Sequence, residues 1–162
     1  MKAAARLAAA AWLFVVSPVL AQDVADLAPR EGWAVHVTDH DFDDLVAHTR
    51  AAIGDGGLAV VTQAGPTGAA ANRGIDIPGN RIIGAFNNVF AVRILSLSTA
   101  AMIEAPLRFY VTENANGTAT LSYKEPSFVF APYIAEGGDD LIAAAAELDA
   151  IFAAIAEDAA SR

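Results

Sequence analysis

The stretch "LRFYVTENANGTATLSYK", residues 107–124, decides the fold of this chain. Two segments in which apolar and polar residues alternate, 107–113 and 118–124, flank a turn that contains Asn116-Gly117. Asn-Gly between two alternating segments is the strongest short-range signal for a β-hairpin. The hairpin makes at least part of the sheet antiparallel, and helices must then cover one face of that sheet.

The other predicted strands lie on the N-terminal side of the hairpin. Apolar patterns with turn residues at their ends predict strands over 33–38, 58–64 and 81–86. Between the first two strands, residues 41–57 change to a helical period and end in glycines, which favours a helix. The loop 65–80 is long for a small domain and contains one predicted helical turn near 69–73.

Three further segments are predicted to be helical. Residues 87–106 are ambiguous, because their apolar spacing fits a helix while their β-branched residues also fit a strand. We predict a helix there, capped by Asn87 or Asn88. Residues 126–134 begin with a proline and predict a short helix, and 138–160 carry the clearest helical pattern. The element order predicts an α+β fold.

The first 21 residues have the organisation of a secretory signal peptide. Lys2 and Arg6 precede an apolar run over 7–16, and small residues at positions 19 and 21 suit cleavage after Ala21. An uncleaved N-terminal anchor is the alternative. We expect a periplasmic or secreted protein in three parts, namely a signal peptide (1–21), a flexible leader (22–32) and a single domain (33–160).

Charge and composition exclude several classes of function. The chain has a formal net charge of −9, and without residues 1–21 it keeps eight basic against 19 acidic residues. Such an acidic protein does not attract nucleic acid or anionic lipid by bulk charge. The absence of cysteine excludes thiol catalysis, thiolate-bound zinc and iron–sulfur chemistry. We expect no cofactor, and no membrane span after signal cleavage because no second apolar run is long enough.

The stretch "HVTDHDFDD", residues 36–44, admits two interpretations. In the first, His36 and His40 bind a divalent metal together with Asp39 or Asp41, since imidazole and carboxylate suit zinc, nickel or copper. In the second, favoured interpretation, a strand ends here and Asp41 caps the following helix. In a strand over 33–38, His36 would point to the face of the sheet opposite to Val35 and Val37. We expect the face with His36 to be the more polar one.

Five polar residues outside that stretch are candidates for binding a ligand. They are Asn87, Arg93, Arg108, Tyr123 and Ser127. Arg108 and Tyr123 flank the hairpin, where they either pair across it or point into a groove with Asn87. The alternative is structural: Asn87 caps a helix, Arg108 pairs with a carboxylate, and Tyr123 packs in the core.

The chain resembles the Domain of Unknown Function 302 family of bacteria and archaea. The resemblance runs from about Trp33 to Tyr133 and rests on five segments in order. These are "TDHDFDDLVAHTRAAI" (38–53), "GIDIP" (74–78), "IIGAFNN" (82–88), "APLRFYVTE" (105–113) and "YKEP" (123–126). The turn that usually reads Gly-Asn-Pro in the family is Phe86-Asn87-Asn88 here, so only Asn87 matches.

The resemblance implies a β-α-β(4)-α fold similar to the TATA-binding-protein-like class, often dimeric, and no established reaction. We therefore expect a curved, mainly antiparallel sheet with helices packed on one face and an extra helix inserted before the last hairpin. We expect non-enzymatic binding of a small molecule or of a periplasmic protein, and a homodimer. The alternatives are a periplasmic metal-binding protein, or a hydrolase or isomerase that uses His40 with a nearby carboxylate.

Overall fold

The computed structural model describes residues 24–162, so the predicted signal peptide and residues 22–23 lie outside the described residues. Five strands form one sheet in the order β1-β5-β4-β3-β2, and every pair of neighbours is antiparallel. The strands are β1 (Trp33–Val37), β2 (Ala59–Ala64), β3 (Asn80–Phe86), β4 (Leu107–Glu113) and β5 (Ala119–Lys124). The predicted hairpin of β4 and β5 therefore lies at the centre of the sheet.

Within residues 24–162, five α-helices and two 3₁₀ helices accompany the sheet. The α-helices are α1 (Phe42–Asp55), α2 (Thr67–Ala71), α3 (Asn88–Leu97), α4 (Pro126–Phe130) and α5 (Ile134–Ser161). The 3₁₀ helices are Ala101–Glu104 and Ala131–Tyr133. Helix α5 begins before the predicted 138–160 and bends at Gly138, whose φ of 57° is a conformation that favours glycine. Within residues 24–162 no helix has the length and apolar character needed to cross a membrane.

The prediction of an α+β fold with helices on one face is confirmed, and α3 is the expected extra helix before the hairpin. We call the face under α1 and α5 the covered face. Its centre is an aromatic cluster in which Phe109 of β4 stacks on Phe152 of α5, with ring centroids 4.4 Å apart. Tyr123 of β5 meets both rings edge-on at 5.3 and 5.5 Å. All three residues are buried, so this cluster joins the hairpin to the longest helix.

The hairpin turn explains the register of β4 and β5. Gly117 has a φ of 83°, and its N–H donates to the carbonyl of Asn114 at 2.9 Å. The N–H of Asn114 in turn donates to the carbonyl of Thr118 at 2.7 Å, which closes a three-residue loop with glycine at its left-handed position. This turn places Phe109 directly opposite Tyr123, so both side chains lie on the covered face.

The predicted helix caps are present at α1 and α3. A side-chain oxygen of Asp41 accepts from the N–H of Asp44 at 2.9 Å. The Asn87 side-chain oxygen accepts from the N–H groups of Val89 and Phe90 at 2.9 and 3.2 Å. Helix α3 ends at Leu97, so it covers only half of the predicted 87–106; the remainder includes the short 3₁₀ helix that leads to β4.

The leader, defined in the structure as residues 24–32, is attached to both ends of β5. Near the hairpin turn, a carboxylate oxygen of Asp26 accepts from the N–H of Ala115 at 2.9 Å. At the far end of β5, the carbonyl of Gly32 accepts from the N–H of Glu125 at 2.9 Å.

His36 points away from Val35 and Val37 as expected, but the expectation that it lies on the more polar face is wrong. In the register of β1 and β5, His36 lies opposite Leu121 and Ala34 lies opposite Tyr123. Directly paired residues share a face, so His36 belongs to the covered face, where its ring stacks on Tyr123 at 6.2 Å. The hairpin fixes which face of β5 is covered, and β1, pairing at its edge, takes its orientation from β5.

Candidate binding groove on the open face

The face of the sheet opposite the helices, here called the open face, contains a groove of about 240 Å³. Side chains from β1, β3, β4 and β5 and Val129 of α4 surround it. The residues that matter for its chemistry are Trp33, Ile82, Arg108, Tyr110, Lys124 and Val129. These six are separated by up to 96 positions in the sequence, so only the sheet brings them together.

Strand register explains why these residues share one face. Trp33 lies directly opposite Lys124, and Tyr110 lies opposite Ile82. Arg108 lies opposite Gly84, whose missing side chain allows close packing: a Cβ atom there would approach Thr62 Oγ1 to 2.2 Å. The groove is therefore a consequence of pairing across four strands around the central hairpin.

Positive charge surrounds the indole of Trp33. The Arg30 guanidinium lies 5.3 Å from the ring centroid, and the Lys124 ammonium lies 5.8 Å from it. Both distances are within the range of a cation–π interaction. Trp33 therefore interacts with two cations at the edge of the groove and also contributes apolar surface to the lining of the groove.

Arg108 is held only loosely by its nearest carboxylate. Its guanidinium is 4.0 Å from Glu104, and 57% of its side chain is exposed. Glu104 also accepts a hydrogen bond of 2.7 Å from the Tyr133 hydroxyl, and this bond is the main reason that the pKa of Tyr133 is raised. Because a separation of 4.0 Å is too long for a hydrogen bond, Arg108 keeps much of its capacity to pair with an incoming anion.

Tyr110 adds a hydrogen-bond donor to the groove. The side-chain amide of Asn80 donates to the Tyr110 oxygen at 2.5 Å, which leaves the phenol proton free to donate elsewhere. Among the groove-lining residues in the described part of the chain, none is acidic and none is a histidine. Cations, a phenol donor and apolar surface are groups suited to binding an anionic or amphipathic molecule.

The structure does not gather the five predicted ligand-binding residues at one site. Arg108 lies in the groove. Tyr123 borders the same groove, but the ring of Tyr123 packs in the core on the covered face. Burial is the main reason that the pKa of Tyr123 is raised to about 12, with smaller effects from Glu125, Asp149 and Glu157. This tyrosine is a packing residue, as the structural alternative supposed.

The other three predicted residues have partners of their own. Asn87 caps α3 and donates through its amide to the carbonyl of Gly57 at 3.0 Å. It also borders a smaller, mainly apolar cavity of about 40 Å³ beneath α3. Arg93 donates to Glu147 at 2.8 Å, and the Ser127 N–H donates to Asp149 at 2.9 Å. These contacts lie outside the open-face groove.

His36 and His40 have different surroundings. His36 stacks on Tyr123, whereas His40 Nε2 lies 3.1 Å from the carbonyl of Ala160 near the end of α5. The His40 ring meets His48 edge-on at 4.8 Å. Within residues 24–162 no three His, Cys, Asp or Glu side chains form a group that could hold a metal ion. His40 also lies at the hairpin end of β5, because its carbonyl accepts from the N–H of Ala119, whereas the groove reaches Lys124 at the other end.

Trp33, Tyr110 and Lys124 line the groove but were not among the predicted ligand-binding residues. The alternation of side chains between the two faces of the hairpin could have identified two of these residues. With Phe109 opposite Tyr123, every second residue of β4 and β5 faces away from the core, which selects Tyr110 and Lys124. Trp33 was harder to predict as a groove residue, because its large apolar side chain favours a core position.

Comparisons with known proteins agree with this architecture. The family model described as "Domain of unknown function DUF302" matches residues 33–157. A solved structure described as an uncharacterized conserved protein DUF302 from Bacillus stearothermophilus superposes with a TM-score of 0.71 at 17% sequence identity. The match covers 80% of this chain and 99% of that chain, and at this identity it shows a shared fold. A comparison with curated proteins gave no significant match.

Proposed function

The chain belongs to the family described as Domain of unknown function DUF302, and we propose that it is an exported, non-enzymatic protein that binds a small molecule in the open-face groove. The observation that supports this proposal most directly is the groove of about 240 Å³ beside Trp33, Arg108 and Tyr110. Its volume is below the roughly 300–1,000 Å³ typical of sites for drug-sized ligands, so a metabolite of modest size fits it better.

The character of the lining residues supports binding more than catalysis. Arg108 and Lys124 offer positive charge, Tyr110 offers a donor, and Trp33 and Ile82 offer apolar contact. Binding sites typically combine a few placed polar groups with apolar walls in this way. His40, the residue named for a hydrolase or isomerase, lies at the other end of β5.

Export is supported by the sequence of the first 21 residues, with cleavage after Ala21. The location is then the periplasm or the exterior of the cell. N-terminal sequencing of the protein isolated from its host would test this part. A mature terminus at Gln22 is expected, and a protein that retains residues 1–21 in the cytosol would contradict export.

A homodimer forms part of the same proposal. The edge strand β2 has five exposed residues of its six, and its sequence AVVTQA contains no charge. An uncharged edge presents unpaired backbone groups to which a second strand can add, and a second copy of this chain would supply one. Light scattering should give the mass of a dimer at high protein concentration. A monodisperse monomer would remove this part of the proposal.

Native mass spectrometry of the protein purified from its host tests the binding function itself. We expect a co-purified small molecule whose occupancy falls at least about tenfold in a Trp33→Ala/Arg108→Ala double variant. A matched control replaces Arg93, an exposed arginine that pairs with Glu147 away from the groove. Equal occupancy in the wild type, the groove variant and the control would place the ligand elsewhere and contradict the proposal.

A further inference from the structure

We infer that the ligand of the open-face groove is a small organic anion with an apolar body, whose charged group lies between Arg108 and Lys124. This inference rests on the proposed binding function and names the class of ligand. It commits to a free small molecule with a carboxylate or a similar anionic group, and three observations support it: the distribution of charge, the incomplete neutralisation of the groove cations, and the apolar wall beside them.

Positive charge is concentrated at the groove of an otherwise acidic protein. Residues 24–162 contain eight Arg and Lys side chains against 18 Asp and Glu side chains. Three of these eight cations, Arg30, Arg108 and Lys124, lie at the groove or over its tryptophan. The lining residues in the described part of the chain include no carboxylate. A local positive site on a negative surface selects anions near it while the surrounding field repels them elsewhere.

The groove cations are not fully neutralised by the protein. Arg108 approaches Glu104 only to 4.0 Å, and Glu104 already accepts a hydrogen bond from Tyr133. For Lys124, no carboxylate of residues 24–162 comes within 4.0 Å of its ammonium. Lys124 lies 5.8 Å from the centroid of the Trp33 ring, and Arg108 lines the same groove. Arginine in addition offers two parallel N–H groups to a carboxylate.

The rest of the groove suits an uncharged carbon body. Ile82 is 38% exposed on the open face although it is aliphatic, and Val129 and Trp33 continue the same wall. The Tyr110 hydroxyl, which accepts from Asn80, keeps its proton to donate to a second ligand oxygen. A ligand with a carboxylate at one end and an aliphatic or aromatic body at the other satisfies both parts of the groove.

Three probes that share one body separate the charge requirement from simple apolar binding. They are 4-phenylbutanoate, 4-phenylbutan-1-ol and 4-phenylbutylammonium, titrated into the mature protein, residues 22–162. Trp33 is the sole tryptophan of these residues, so its indole N–H signal in ¹H–¹⁵N NMR reports on the groove alone. We expect the carboxylate to bind at least about tenfold more tightly than the alcohol, and the ammonium to bind most weakly.

Charge-removing variants give the second readout. Arg108→Gln and Lys124→Gln should each weaken carboxylate binding about tenfold and change alcohol binding by less than about twofold. Arg93→Gln is the matched control, because it removes a surface cation outside the groove, and it should change neither.

The outcomes separate this inference from the proposed function. If the alcohol or the ammonium binds as tightly as the carboxylate, or if Arg108→Gln weakens all three probes equally, the groove binds small molecules but the anion inference is overturned. If none of the three probes moves the Trp33 signal, both the inference and the proposed role of the groove are contradicted.

Discussion

The two faces of the sheet are built from the same strands but differ in almost every property. On the covered face, Phe109 and Tyr123 pack against Phe152 of α5, and all three are buried. On the open face, the neighbouring residues Arg108 and Lys124 are exposed and charged. Adjacent residues of one strand thus serve different purposes, because side chains alternate between the faces. The covered face stabilises the fold, and the open face carries the groove for which we propose ligand binding.

The largest effect should come from breaking the covered face. Phe152→Ala removes a ring that stacks on Phe109 and is 1% exposed, so we expect the free energy of unfolding to fall by about 3–5 kcal/mol. Urea denaturation followed by circular dichroism measures this change. Val37→Ala, at a position that is 73% exposed on the open face, is the control and should change stability by less than about 0.5 kcal/mol. Similar losses in the free energy of unfolding for the two variants would contradict the conclusion that the covered face stabilises the fold more than the open face does.

A smaller loss is expected at the junction of the leader and β1. Gly32 has a φ of 71°, and a Cβ atom there would lie 2.2 Å from the ring of Phe128. Gly32→Ala should therefore cost about 1–3 kcal/mol in the free energy of unfolding. Gly68→Ala, in α2 with nothing within 4 Å of the added carbon, should be neutral or slightly stabilising. A neutral Gly32→Ala variant would show that the leader does not need this conformation.

The cap of α3 gives the next effect. Asn87→Ala removes the side-chain oxygen that accepts from Val89 and Phe90, and should cost about 1–2 kcal/mol. Asn88→Ala provides the matched control, since Asn88 is the first helical residue and is exposed, and should cost less than about 0.5 kcal/mol. Thermal unfolding of the two variants side by side tells which asparagine is the cap, and a larger loss for Asn88→Ala would reverse the assignment.

The smallest effect at neutral pH concerns Tyr123. Burial raises the pKa of its hydroxyl from 10.0 to about 12, so the folded protein holds the proton more tightly than the unfolded chain. This contribution to stability is fully present below pH 10 and is lost as pH rises from about 10 to 12. Tyr123→Phe should reduce the loss of stability over that range in urea titrations, while Tyr110→Phe should retain it. An unchanged pH dependence in Tyr123→Phe would contradict the raised pKa.

Local patterns predicted much of the covered face. The Asn-Gly turn, the helical spacing from Phe42 onward and the cap at Asp41 are properties of neighbouring residues, and the structure contains each of them. The long helix before the C-terminus was also evident from its apolar spacing, although its early start and the bend at Gly138 were not. Interactions within a few residues determine these features, so one sequence is sufficient to predict them.

The open face was harder to predict because it depends on pairing between distant strands. Trp33 and Lys124 are neighbours only because β1 joins the edge of β5. The same pairing places His36 on the covered face, although we expected it on the more polar face. The sequence of the five residues of β1 does not indicate which of its two faces the helices will cover. Of the five predicted ligand-binding residues, Arg108 therefore lies in the groove with its side chain, and the residues that surround it were not predicted.

The central claim is that ligand binding belongs to the open face, and chemical-shift mapping of every backbone amide during titration with 4-phenylbutanoate tests it most directly. The account predicts perturbations centred on Trp33, Ile82, Arg108, Tyr110 and Lys124, with the amides of Leu148 and Phe152 in α5 little changed. Perturbations centred instead on Phe90, Ile94 and Phe130, which line the small cavity beneath α3, would contradict it.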